Sequence, residues 1–236
     1  MVSWMTDKWN NLTTPDVLKK WDGLLPIVHG LVDEAGLFDT SPLNAFLIET
    51  LQDLGDEFGH EFKRKFNTQA TDMNSGVVVQ FSEKDLTFDE FYQALMASSS
   101  YPIVFPPYYV GGYDNFTFAD GGIEFGPDFP TAIQRCREMV DSDDQITVDA
   151  LVTYYGEMDT EFEVSKSALT NWKRAREIKK FWNGMNQILA YLFYFPDVNF
   201  RYLGIPTSDI GGNIGRIDFS KNTTWPIQEL GRHDAQ

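Results

Sequence analysis

Between Ala97 and Gly122 the chain reads ASSSYPIVFPPYYVGGYDNFTFADGG, and this stretch restricts its folding more than any other. Three prolines and two glycine pairs punctuate it. Proline fixes φ and lacks an N–H, so neither a helix nor an inner strand runs undisturbed through Pro102 or Pro106-Pro107. A helix is expected to run into Ala97-Ser98-Ser99-Ser100, with a bend at Tyr101-Pro102. A short aromatic strand, Phe116-Thr117-Phe118, is then expected to deliver Asp120 onto Gly121-Gly122. A carboxylate at a strand end beside two glycines is a site-like arrangement. The strand is rigid, and the glycines let backbone or substrate approach with no Cβ in the way. The same Asp-Gly-Gly string is also common in plain turns.

On either side of that stretch the chain reads as alternating helices and strands. Thr14-Pro15-Asp16 gives a cap, a first-turn proline and a first-turn acid. Val17, Leu18, Trp21, Leu24 and Leu25 continue at helical spacing. Ser41-Pro42 opens a second helix with Leu43, Phe46, Leu47, Leu51 and Leu54 on one face. Phe62 to Thr71 and Gly76 to Ser82 read as strands, with Ser75-Gly76 as a turn between them. Thr87-x-x-Glu90 has the capping-box pattern and opens the helix that leads to Ala97. Pro130 starts a helix through Val140, and Cys136 lies on its apolar face. Ile146–Tyr155 is expected to be a buried strand, 165–193 a long helix and Val198–Ile205 a further strand. Ser208 to Gly215 reads as a glycine loop, and Trp225-Pro226 as the start of a short last helix stopped by Gly231. This alternation predicts an α/β fold with a mainly parallel sheet and helices on both faces.

Composition sets the outer limits. A chain of 236 residues is enough for one large domain with a sizeable core, or for two small ones. Its formal net charge of −16 argues against nucleic acid, whose phosphates need a basic surface. It argues equally against long-range attraction to anionic membranes, though not against insertion of an apolar lip. One cysteine allows no internal disulfide. The N-terminal residues have neither a basic start nor an apolar run, so no signal peptide is read there. The longest apolar run, Ile188 to Phe195, is far short of the ~20 residues that span a bilayer. A cytoplasmic or peripheral-membrane location is the expectation.

The blocks Ala97-Ser98-Ser99, Phe105-Pro106-Pro107 and Asp120-Gly121-Gly122 occur in an order that resembles the second half of a patatin-like phospholipase domain. Gly36-Leu37-Phe38-Asp39-Thr40-Ser41-Pro42-Leu43 extends the resemblance toward the N-terminus. The resemblance implies a three-layer α/β sandwich with a mainly parallel sheet. It also implies an ester hydrolase that uses a Ser-Asp dyad on a phospholipid or acylglycerol, with no metal or organic cofactor. Asp120 takes the place of the dyad acid. The family's serine sits in a G-x-S-x-G elbow after a glycine-rich oxyanion loop, and neither is found at the front of this chain. The expectation is therefore a single, N-terminally incomplete domain over residues 1–236, lacking its first strands and inert toward esters. An inner strand left as an open edge would favour self-association. The alternative is a non-catalytic protein that binds lipid or a protein partner.

The remaining chemistry stays open at this point. Tyr101, Phe105, Tyr108, Tyr109 and Tyr113 could line an acyl pocket near Asp120 or be ordinary core. Ser98, Ser99 and Ser100 lack the flanking glycines of a nucleophile elbow. Gly211-Gly212-x-x-Gly215 has the string of an oxyanion loop but reads as a glycine turn. His29, His60 and His233 show no ligand spacing, so no metal is expected. Lys173, Arg174, Arg176, Lys179 and Lys180 form a basic helix segment, either a solvated face or a lipid-headgroup contact helped by Trp172 and Trp182.

Overall fold

The computed structural model describes residues 2–23, 25–123, 126–152, 163–164, 166–208 and 217–235. They fall into two compact units. One comprises Met1–Phe125 and Gly212–Trp225, the other Gly126–Gly211 and Pro226–Gln236.

The first unit opens with α1 (Val2–Asn11), α2 (Thr14–Val17), α3 (Pro26–Val32) and α4 (Ser41–Phe58). Strand β1 (Asn67–Asp72), strand β2 (Val78–Ser82), helix α5 (Tyr92–Ser99) and strand β3 (Phe118–Asp120) follow. The Asp16 carboxylate accepts from the Thr13 N–H and hydroxyl at 2.8 and 2.5 Å, so the helix start read at Thr14-Pro15 holds. The continuation to Leu25 does not. Leu18 is extended, and Lys19 exchanges two backbone hydrogen bonds of 3.0 Å with Asp39. This long-range pair ends the helix after one turn, and Pro26 starts a new one. Local apolar spacing could not report the pairing, which overrides weak helix propensity.

The sheet of this unit has the order β2-β1-β3, and both pairs are antiparallel. A mainly parallel sheet was expected; here the described strands depart from it. Only residues 73–77 separate β1 from β2, enough for a hairpin and far too few for a parallel crossover. Strand β3 also begins two residues later than expected, at Phe118. Helix α5 packs on β1 and β3. Leu51, Ala70, Phe81, Phe88, Phe91, Ala94 and Phe118 form the core. The Phe81 and Phe118 rings meet edge to face at 5.3 Å, and each fully buried ring contributes roughly 2–3 kcal/mol of burial free energy.

The second unit holds α6 (Phe129–Arg137), β4 (Thr147–Leu151), α7 (Ala168–Tyr194) and β5 (Asn199–Gly204). Strands β4 and β5 are parallel, with α7 in the connection between them. Here the strand–helix–strand reading was right, because the long connection can carry a crossover. Residues 153–155 of the expected strand lie outside the described residues. The Asp128 carboxylate caps α6 by accepting from the Thr131 N–H at 3.2 Å. Phe129, Ile133, Ile146, Ala150, Val152, Ile188 and Val198 make the core. Helix α8 (Lys221–Asp234) starts earlier than expected and runs past Gly231; the boundary between the units falls inside it. Its early start follows from Asp218, whose carboxylate gathers the Ser220 N–H and the hydroxyls of Ser220 and Thr223. Residues 209–215 of the expected glycine loop lie outside the described residues.

Candidate active site

Asp120 stands at the C-terminal end of β3, paired in register with Ala70 of β1. Its N–H donates to the Ser100 carbonyl at 3.0 Å, and its own carbonyl accepts from the Thr71 hydroxyl at 3.3 Å. The backbone of this residue is therefore held from both the sheet and the end of α5. Its side chain is half-buried, and Oδ1 accepts from the Gly122 N–H at 2.6 Å. Burial pushes the carboxyl above its ordinary range, and the Gly122 N–H pulls it partly back. Such a group holds a proton more readily than a surface carboxylate, which suits a base that must accept one.

The two glycines have separate reasons. A Cβ on Gly121 would stand 2.5 Å from the Gln69 Cγ and 2.7 Å from the Gln69 carbonyl oxygen, so β1 leaves room only for glycine. A Cβ on Gly122 would meet the Asp120 Oδ1 at 3.0 Å, crowding the hydrogen bond that orients the carboxylate. After β3 the backbone tightens into a short 3-10 turn over Gly121–Ile123. Gln69 and Thr71, which shape this corner from beneath, carry no signal in the sequence. Ordinary strand residues acquire the role only through register.

The aromatic residues near the site separate into different environments. Tyr108 exchanges two backbone hydrogen bonds with Phe118, of 2.8 and 2.9 Å, so it lies beside β3. Its ring packs on the core, its hydroxyl donates to Asn44 Oδ1 at 3.1 Å, and burial raises its pKa to about 12. Tyr113 packs on the same core, and Tyr109 is exposed. Tyr101 is half-exposed and directly follows Ser100, whose carbonyl holds Asp120. Phe105 is partly buried, and its N–H donates to the Tyr101 carbonyl at 2.9 Å.

Between Tyr101 and Phe105, Ile103 adopts a φ of 76°, a conformation that β-branched residues rarely take. Its carbonyl accepts from the Leu37 N–H at 2.9 Å, and the Val104 carbonyl accepts from Phe38 at 3.1 Å. Gly36 lies so close that a Cβ there would stand 2.4 Å from the Pro106 nitrogen. The Gly36–Asp39 segment thus clamps the prolyl stretch, which explains why both blocks carry motif-like sequence.

Ser99, Ser100 and Ser75 are engaged in local hydrogen bonds. The Ser99 hydroxyl donates to the Leu95 carbonyl at 2.8 Å, and Ser100 to the Met96 carbonyl at 2.8 Å; both serve the last turn of α5. Ser75 donates to the Asp72 carboxylate at 2.6 Å within the β1–β2 turn. Asp72 also accepts from the Thr117 N–H at 2.9 Å, tying the hairpin to the residue before β3. These donors, the Ser75 hydroxyl foremost, lower its pKa to about 2, so Asp72 is a fixed anion and a poor base. Among the described residues no group of three or more His, Cys, Asp or Glu side chains is placed to hold a metal ion.

A family model described as patatin-like phospholipase matches residues 3–133, more than half of the chain. The match takes in Asp120, the antiparallel sheet and the Gly36–Asp39 clamp, and it ends within α6. A search among curated proteins finds no match.

Proposed function

The chain belongs to the patatin-like phospholipase family, and from that premise we propose that Asp120 is the acid of a serine–aspartate pair acting on a phospholipid or acylglycerol ester. The observation that carries the proposal is the half-buried Asp120 carboxylate, raised in proton affinity at the end of β3 and followed by a glycine that β1 requires. In such a pair the serine oxygen attacks the ester carbonyl carbon while its proton passes to the aspartate. The negative charge gathers on the carbonyl oxygen. Collapse expels the alcohol, which takes the proton back, and water then releases the fatty acid by the same two steps. On this reading residues 1–236 belong to one three-layer α/β domain of patatin-like type. Tyr101, which follows Ser100, and Phe105, whose N–H donates to Tyr101, are the residues proposed to meet the acyl chain, with Tyr108 behind them, its backbone beside β3 and its ring on the core.

No G-x-S-x-G occurs within these 236 residues. By itself the chain is expected to leave lipid esters intact, because losing a serine nucleophile removes roughly a millionfold of turnover in a well-studied protease. The test begins with the 5′ end of the transcript. If an in-frame upstream segment supplies the elbow, the extended protein is expected to hydrolyse lipid esters. Asp120→Asn should then remove about as much turnover as alanine at the elbow serine. Full turnover in the Asp120→Asn protein would refute the assignment. So would hydrolysis by the 236-residue chain that survives Asp120→Ala.

A further inference from the structure

Gly55, in the last turn of α4, leaves a space that a histidine ring fills. A Cβ at Gly55 would stand 2.5 Å from both Cε1 and Nδ1 of His60. Gly59, at a φ of 98°, ends the helix and turns the chain back so that the ring can lie there. Alanine is the better helix former inside a helix, so it is the ring, not the helix, that calls for glycine at 55.

Both nitrogens of this ring face carboxylates. Nδ1 lies 2.7 Å from Asp89 Oδ1, and Nε2 lies 3.2 Å from Asp56 Oδ1. An ionised carboxylate only accepts, and a neutral imidazole has one N–H. The two contacts are hydrogen bonds together only when the ring carries both protons. The two partners belong to different elements. Asp56 is on α4, and Asp89 is in the Thr87–Glu90 turn that precedes α5. Between Gly59 and Phe66 the chain lays Phe62 against Phe88 at 5.4 Å and Phe66 against Phe91 at 4.2 Å, and the His60 ring meets Phe88 edge to face. The surrounding charge is mostly acidic. The end of α4 brings Asp56 and Glu57, with Asp53 a turn earlier held by Lys8 at 2.5 Å. The turn before α5 brings Asp89 and Glu90, the latter accepting from Thr87. Residues 59–66 carry Glu61, paired with Lys63, and the exposed Arg64 and Lys65. Asp89 first, and then Asp56, raise the His60 pKa above its ordinary 6.5.

We propose that His60 is a pH-operated clasp: charged, it joins Asp56 of α4 to Asp89 before α5 and holds residues 59–66 closed over Phe88 and Phe91; neutral, it leaves one carboxylate facing a ring lone pair, and the segment opens. The ring is 45% exposed, so it exchanges protons with solvent without unfolding. A base whose folded pKa is raised contributes stability that is complete below 6.5 and is lost as pH rises through the folded value. The segment is therefore closed in mildly acidic solution and loosens on the alkaline side. None of this depends on a serine partner for Asp120.

The chain itself serves for the test. The three histidine rings are titrated by NMR, with His60 assigned by its loss in His60→Gln. Its ring is expected to titrate above 6.5, and Asp89→Asn should bring it back further than Asp56→Asn. Hydrogen exchange follows the Gly59 and Phe66 amides, which donate to the Gly55 carbonyl and the Glu83 carboxylate. Corrected for the intrinsic rate, their protection should fall about threefold between about pH 5.5 and pH 9, the scale of an exposed ion pair. His60→Gln should show no such fall. Gly55→Ala keeps all three charged groups but evicts the ring. It should melt below the parent at about pH 5.5 and at or above it at about pH 9, where the clasp is open and alanine favours the helix. The proposal is overturned by a His60 ring that titrates at or below 6.5, by a fall in protection that His60→Gln shares, or by a Gly55→Ala protein whose difference from the parent is the same at both pH values.

Discussion

Asp120 and Asp72 sit on neighbouring strands of one small sheet and have opposite electrostatics. Asp120 is desolvated, with Gly122 its donor among the described residues, so its pKa is raised. Asp72 is surrounded by donors from Ser75 and Thr117, so its pKa falls to about 2. The signs of the pH dependence follow. An acid with a raised folded pKa contributes stability below its unfolded pKa of about 4 and loses it as pH rises through the folded value. Asp120→Asn is therefore expected to raise the melting temperature at pH 7, with little effect at pH 3. Asp72 contributes stability above pH 4 that is lost as pH falls toward about 2. Asp72→Asn should lower the melting temperature at pH 7, the gap closing in acid. Thermal melts of both variants across pH check this, and a parallel response would count against the assignment. Gly121→Ala drives a Cβ onto the Gln69 backbone and should cost about 1–3 kcal/mol in urea unfolding, more than Gly122→Ala. The Asp-Gly-Gly string was visible in the sequence, but the reason for Gly121 was not, because Gln69 lies far away along the chain.

Among the elements, those with strong local signals formed where expected. The apolar face of α4 includes buried Leu51. The Thr87–Glu90 hydrogen bonds form, with the Thr87 hydroxyl 2.6 Å from the Glu90 carboxylate, but they close a turn and α5 starts only at Tyr92. Strand pairing was the weaker reading. Alternation of helix and strand suggested a parallel sheet, whereas β1 pairs antiparallel on both sides because a short turn joins it to β2 and register brings β3 to it. The three-residue β3 owes its place to Phe118, whose ring is fully enclosed by Phe81, Tyr113 and Phe116. Phe118→Ala should cost about 3–5 kcal/mol by denaturant melt. It should also return Asp120 toward an ordinary carboxylate pKa, read by NMR titration, because the strand that buries the side chain would loosen. A variant that keeps the raised pKa would show that β3 is held by something other than this ring.

At the scale of the whole molecule, charge dominates the solution behaviour. A chain of net charge −16 and sequence pI near 4.4 repels its own copies at neutral pH. Light scattering is expected to be low at pH 7 and to rise sharply as pH approaches that value, where repulsion vanishes and the exposed side chains of α3 and α7 can meet. Scattering that is flat through the isoelectric point would show that these faces do not associate. Local chemistry was enough to encode the prolyl breaks, the helix starts at Thr14-Pro15 and Ser41-Pro42, the acidic balance, the Asp-Gly-Gly corner and the family. Tertiary structure alone decided what depends on partners distant along the chain. Lys19 pairing with Asp39 ended a helix, Gln69 excluded a side chain from Gly121, and packing on Ile188 and Tyr191 turned the tryptophans of α7 away from its core. Each is a contact between residues whose neighbours in sequence carry no trace of it, so periodicity and spacing had nothing from which to read them.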